Sequence, residues 1–301
     1  EDGVELQPRA ALLEFDINQR PLEIVEALLA QRPRIIGLGV YIWNVAPTTE
    51  VVALLKRLAQ DTTIVLGGPE VSFECDLQEV VRLSDYVITG EGDLTFATLC
   101  RRLLNGERPP GKIIAAVLPK MEALALPYGL YADDDLRHRV LYVEASRGCP
   151  FTCEFCLSSL DVPVRAVPLE PFLSALDDLI SRGATQFKFV DRTFNLNLAT
   201  SRAILQFFLD RWREGMFVHF EMIPDRLPDA LREIIARWST NPRNAPSAAP
   251  PIARPGDDAP TSPNGSPADV RLPGGASGDA IWASTLADLA RALDRDAYDR
   301  L

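Results

Sequence analysis

Short apolar runs alternate with stretches of helical period along the first 238 residues, and this alternation limits the fold more than any other feature. ALLEF (11–15), IIGLGVY (35–41), TIVLGG (63–68) and YVIT (86–89) read as strands. Residues 22–31, 49–59 and 95–104 place apolar side chains at helical spacing. Strands alternating with helices imply a parallel sheet with helices on both faces. Residues 1–106 are therefore expected to form a doubly wound, flavodoxin- or Rossmann-like α/β domain. Residues 107–139, with Pro109-Pro110 and ALALPYGLYADDD, read as a connector. A second series follows over 140–238: VLYVEAS (140–146), a helix at 170–182, FKFVD (187–191), a helix near 200–214, FVHFEMI (217–223) and a helix at 229–238. Three strand candidates make this second region a partial β/α barrel.

The pattern then stops. Residues 239–278 hold 9 of the 24 prolines, and no aromatic residue occurs from 239 to 281. Such a stretch cannot bury enough apolar surface to offset its ordering entropy, so residues 239–301 are expected to be a disordered Pro/Ala/Asp-rich tail. Residues 281–301 carry one amphipathic helical period, a candidate terminal helix. A reading-frame change in a GC-rich gene would produce a tail of this composition.

Net charge is −11, which disfavours non-specific nucleic-acid binding because that needs a basic surface. No apolar run is long enough to span a bilayer, and EDGVELQPRA lacks a signal-peptide pattern. The chain reads as soluble and cytoplasmic, with no membrane partner.

Five cysteines in 301 residues do not make a disulfide scaffold. Three fall in RGCPFTCEFC, where Cys149, Cys153 and Cys156 have the spacing Cys-x3-Cys-x2-Cys directly after the strand 140–146. Three thiolates on one loop can bind three irons of a [4Fe–4S] cluster and leave the fourth iron open to a small molecule. A zinc site of three cysteines and one histidine is the alternative, but His138 and His219 lack the usual finger spacing to the triplet. A plain electron carrier would need a fourth clustered cysteine. Cys75 and Cys100 read as small buried hydrophobes.

Cys-x3-Cys-x2-Cys after the first strand of a β/α series resembles the radical S-adenosylmethionine (SAM) superfamily. The resemblance implies that SAM chelates the open iron and is cleaved reductively, with electrons from a low-potential donor of flavodoxin or ferredoxin type. It also implies that Phe155 packs near the SAM adenine. FKFVDRTFN stands where that family has a loop meeting the SAM amino group, which makes Asp191, with Arg192 and Thr193, a candidate for a SAM or substrate contact. Asp191 could instead cap a helix or hold a loop, and Glu221 could be a site group, a surface carboxylate or a partner of Arg226.

Three strand ends before the cysteine motif carry glycines: Gly37 and Gly39, then Gly67-Gly68-Pro69, then Gly90-Glu91-Gly92. Glycines there let a ligand approach the backbone at the carboxyl edge of a sheet. In this order before a radical SAM motif, they resemble the cobalamin-binding domain of B12-dependent radical SAM proteins. DINQRP, VYIWN and VDRTFN are similar to segments of an uncharacterised subfamily of that class. The resemblance implies that the cobalamin nucleotide tail lies on Gly67, Gly68 and the 90–92 turn. Tyr41, Ile42, Trp43 and Asn44 would lie near the lower corrin face, although Trp43 could be core. The expected activity is cobalamin-assisted radical SAM chemistry, with methyl transfer to an unactivated carbon preferred and the substrate unknown. The alternative is a truncated, non-catalytic cobalamin and iron–sulfur binding protein.

Overall fold

The computed structural model describes residues 4–154, 156, 163–223 and 227–240. Phe155, Arg226 and the tail beyond residue 240, including the candidate terminal helix, lie outside the described residues. The chain divides into two compact units, Glu1–Leu124 and Ala125–Leu301.

The first unit runs α1 (Pro21–Ala30), β1 (Ile35–Gly39), α2 (Val45–Leu58), β2 (Thr63–Gly67), α3 (Glu79–Leu83), β3 (Tyr86–Thr89), α4 (Asp93–Leu104) and β4 (Ile113–Ala115). All four strands are parallel, in the order β1-β2-β3-β4. The side chains of β2 divide between two layers because successive strand residues point to opposite faces. Ile64 and Leu66 join Val25 and Leu28 of α1, Val51, Val52 and Leu55 of α2, and Val80 and Val81 of α3. Val65, with Tyr86 and Ile88, packs on Leu99 and Leu103 of α4. Helices thus cover both faces, and a strand buried on both sides reads as a continuous apolar run, as TIVLG does.

Two expectations for this unit need correction. Residues 11–15 form no strand; Leu12 is 79% exposed, and Phe15 packs against the core from an irregular segment. An isolated apolar run needs a ladder to become a strand, and among the described residues no strand lies beside the outer edge of β1. Residues 113–115, expected to be connector, instead pair with β3 in the register Val87↔Ile113 and Thr89↔Ala115. Three residues are too few to show a period in sequence.

The second unit contains α5 (Asp133–His138), β5 (Leu141–Val143), β6 (Ser146–Arg147), β7 (Arg165–Ala166), α6 (Leu169–Ser181), β8 (Gln186–Phe189), α7 (Leu198–Asp210), β9 (Phe217–His219) and α8 (Asp229–Thr240). Among the described residues, β5, β8 and β9 form a parallel sheet in that order, from the three strand candidates that the sequence offers. α6 buries Phe172, Leu176, Leu179 and Ile180, a single helical stripe. It ends where Gly183, at φ +114°, donates to the Ile180 carbonyl and Ala184 donates to that of Leu179. Glycine takes that left-handed turn without strain. Phe187 and Phe189 of β8 meet Phe172, Phe208 and Phe220 edge-on or tilted, with ring centroids 4.5–6.0 Å apart.

Candidate functional site

The cysteine loop leaves the sheet at the carboxyl end of β5. Its two ends are joined by an antiparallel ladder, Ser146↔Ala166 and Arg147↔Arg165, which makes β6 and β7 a clasp around residues 148–164. The strand VLYVEAS expected over 140–146 is thus two shorter strands with a bend between them.

Asp191 fixes that bend. It is 1% exposed at the end of β8. Its carboxylate accepts the Ala145 N–H at 2.9 Å and the Ser146 hydroxyl at 2.6 Å. Burial pushes its pKa up, and the bonds from Ser146 and Ala145 oppose that shift. In this structure Asp191 holds the loop.

Two residues on, the Thr193 hydroxyl lies 3.9 Å from Cys149 Sγ, and both residues are buried. Two residues further, the Asn195 side chain donates to the Ile223 carbonyl at 2.8 Å and accepts the Ile223 N–H at 3.0 Å. The segment VDRTFN thus uses three alternate polar side chains as brackets. Two reach the start of the cysteine loop, and one reaches the chain after β9. Sequence reading pointed to this segment as a strand end. It missed Asn195 and the clasp, although polar residues at every second position beside an aromatic core carry a period-2 signal.

All three clustered thiols are free: Cys149 is buried, Cys156 half-buried and Cys153 exposed. The Cys156 N–H donates to the Cys153 carbonyl at 3.1 Å, so these two residues share a turn. Among the described residues, no group of three His, Cys, Asp or Glu side chains is drawn together closely enough to hold a metal ion. The donor chemistry nonetheless fits a three-thiolate cluster. Three unpaired thiols stand on one clasped loop, and sites of this kind complete their geometry on binding metal.

The remaining candidates separate. Glu221 is exposed, and its carbonyl accepts the Phe194 N–H. His138 is exposed beside Asp134 on α5. His219 is buried on β9, with its pKa lowered first by burial, then by Lys188. Cys75 is half-buried with its thiol on the Val71 carbonyl, and burial pushes the Cys100 thiol up. Both are half-buried, less enclosed than the small buried hydrophobes expected.

In the first unit the carboxyl-edge loops are stitched together. Val40 donates to the Gly67 carbonyl at 2.7 Å. The Ser72 hydroxyl donates to the Gly68 carbonyl at 2.8 Å and accepts the Gly90 N–H at 3.0 Å. Pro69 closes a turn by accepting the Ser72 N–H. Glu91 and Gly92 lead directly into α4.

The glycines serve different ends. A Cβ on Gly37 would lie 2.7 Å from the Phe96 ring, so that position admits a side chain of α4. Gly68, at φ +110°, would put a Cβ 2.5 Å from the Val40 carbonyl oxygen. Its lack of a side chain is a condition of the fold whether or not a ligand lies there. Added Cβ atoms at Gly39, Gly67 and Gly90 meet ordinary contacts, at 3.6 Å or more.

Trp43 is not core. It is 63% exposed, Ile42 is 76% exposed, and the Tyr41 and Trp43 rings stack at 4.6 Å and 12°. Asn44 braces this platform, donating to the Gly39 carbonyl at 3.0 Å and accepting the Tyr41 N–H at 2.8 Å. An exposed apolar patch of this kind, fixed by buttressing hydrogen bonds, marks an interaction surface.

Residues 3–100 match the B12-binding domain family. An uncharacterised methyltransferase of Pyrococcus horikoshii is 30% identical over 190 residues, covering 55% of this chain and 41% of that protein. The cobalamin-dependent radical SAM methyltransferase TokK of Streptomyces tokunonensis is 28% identical over 149 residues, 41% of this chain and 22% of its own length. This chain thus spans less than half the length of either relative. The fold is shared with the radical SAM methyltransferase TsrM of Kitasatospora setae at a TM-score of 0.55 and 15% identity, over 71% of this chain and 48% of TsrM. TsrM has been solved with cobalamin and a [4Fe–4S] cluster, and with tryptophan and a SAM analogue. No described helix is long and apolar enough to cross a membrane.

Proposed function

We propose that this chain, a homologue of the cobalamin-dependent radical SAM methyltransferases, is the cofactor-binding part of an enzyme that transfers a methyl group to an unactivated carbon. One observation carries the reading: three free thiols follow β5 on a loop that Asp191, Thr193 and the β6–β7 clasp hold at the carboxyl end of a parallel sheet. Active groups of β/α barrels stand at such strand ends. Cys149, Cys153 and Cys156 are the residues that would hold a [4Fe–4S] cluster. Phe155 is assigned to the SAM adenine. Tyr41, Ile42 and Trp43, with the edge formed by Gly39, Gly67 and Gly90, offer the surface for cobalamin. When bound, these groups supply radical chemistry and a methyl carrier, while the protein orients them and excludes water.

The proposal includes a low-potential electron donor of flavodoxin or ferredoxin type and a cytoplasmic setting, because reduced free thiols persist there. A second reading is a binding module without turnover. It draws on the exposed Tyr41–Trp43 platform, which offers a ligand surface without the cysteine loop.

Anaerobic reconstitution with iron and sulfide, followed by spectroscopy with and without SAM and cobalamin, tests the proposal. The expected result is a [4Fe–4S] spectrum that changes on adding SAM and is lost in Cys153→Ala. An unchanged spectrum in that variant would refute the assignment. Transfer of a methyl group from labelled SAM to a carbon acceptor separates the enzyme from the binding module.

A further inference from the structure

We infer that Thr193 is a positioning residue for the cluster, donating its hydroxyl hydrogen to Cys149 Sγ and thereby raising the cluster's reduction potential. This inference rests on the cluster assignment proposed above. The hydroxyl is 3.9 Å from the sulfur, Thr193 is 7% exposed, and Cys149 is buried beside it. Among the described residues this sulfur is the one hydrogen-bond partner found for that hydroxyl. A buried hydroxyl without a partner is costly, so the contact has a reason to persist.

The backbone fixes where the hydroxyl stands. Asp191 ties the chain two residues earlier to Ala145. The Phe194 N–H bonds to the Glu221 carbonyl at 2.9 Å, and the Phe194 ring packs on Phe189 and Phe220. Thr193 therefore sits between two anchored neighbours.

The direction of the effect follows from charge. An iron-bound thiolate has no proton, so the hydroxyl must be the donor. One electron entering the cluster makes its sulfurs more negative. A hydrogen bond to one of them favours that reduced form, and hydrogen bonds to sulfur are among the protein's levers on cluster potential. Valine has nearly the shape of threonine and no donor, whereas serine keeps the donor and loses only a methyl group.

The test is an anaerobic redox titration followed by electron paramagnetic resonance, on the reconstituted full chain and on Thr193→Val and Thr193→Ser. Iron and sulfide contents are measured alongside. The expected result is equal cluster content in all three, a more negative midpoint in the valine variant, and the wild-type midpoint in the serine variant. Should the valine variant not fold, Thr193→Ala, which adds no volume, must show the same negative shift. A valine or alanine variant with the wild-type midpoint overturns the inference, as does a serine variant that shifts like valine. Wild-type protein that binds no iron at these cysteines overturns the cluster assignment itself. Coincident midpoints on an intact cluster overturn only the role of Thr193.

Discussion

Asp191, at the end of β8, accepts the backbone N–H of Ala145, at the end of β5, at 2.9 Å. The bond joins two adjacent parallel strands just beyond their ladder, where the chain turns into the cysteine loop. A second oxygen takes the Ser146 hydroxyl at 2.6 Å, so one carboxylate sets both the direction and the start of that loop.

Asp191→Ala is expected to cost roughly 2–4 kcal/mol, because the buried Ala145 N–H and the half-buried Ser146 hydroxyl lose their acceptor. Asp191→Asn is expected to cost far less, since the amide can accept from Ala145 and donate to the Ser146 hydroxyl. The wild-type carboxyl has its folded pKa raised above the ordinary 3.8, with burial as the first cause. The folded state then binds this proton more tightly than the unfolded chain. The contribution of this group to stability is greatest below 3.8 and declines as pH rises through the folded value. Urea titrations of wild type and the Asn variant at several pH values should show that decline in wild type alone.

His219 has the opposite sign. Burial first, then the Lys188 charge, lowers its pKa below 6.5, while Glu221 acts weakly the other way. The unfolded chain takes up the proton more readily. Stability from this group is full above 6.5 and is lost as pH falls toward the lower folded value. Replacing His219 with Gln should remove that acid-side loss, read as a smaller drop in urea midpoint between neutral and mildly acid pH.

Gly68→Val should unfold the first unit rather than merely weaken ligand retention. The new Cβ would meet the Val40 carbonyl at 2.5 Å, at a φ of +110° that valine avoids. Strain at a left-handed position alone is about 1–3 kcal/mol, and the overlap adds to it. Circular dichroism with urea titration checks this. A folded variant of wild-type stability would contradict it.

Trp43→Ala should do the reverse. The ring is 63% exposed, so the expected stability change is within about 0.5 kcal/mol. Cobalamin retention on gel filtration should fall, because half of the stacked pair with Tyr41 is lost. Equal retention by wild type and variant would remove this platform from the cobalamin proposal.

Much of the architecture was legible in the chain itself. TIVLG and YVIT are apolar because β2 and β3 are buried on both faces, and that burial writes itself as uninterrupted hydrophobicity. The stripes of α6 and α7 are equally plain, as Phe172–Leu176–Leu179 and Ser201–Ile204–Phe208 show. ALLEF misled because hydrophobicity reports burial, whereas a strand also requires a neighbour to bond. β4 and the β6–β7 clasp escaped notice because segments of two or three residues carry no period.

The sequence by itself determined the chemistry on offer: three cysteines at fixed spacing, a glycine at each of three strand ends, and an order of elements that requires two parallel sheets. Only the tertiary structure decided which of these residues are needed by the fold and which stand exposed at its surface. Gly37 and Gly68 turn out to admit Phe96 and the Val40 carbonyl, while Trp43 turns outward. Asp191 and Thr193 reach back 46 and 44 positions to Ala145 and Cys149. The physical reason is that spacing constrains neighbours along the chain, whereas contacts at such separations are set by the register between β5 and β8, which local pattern does not encode.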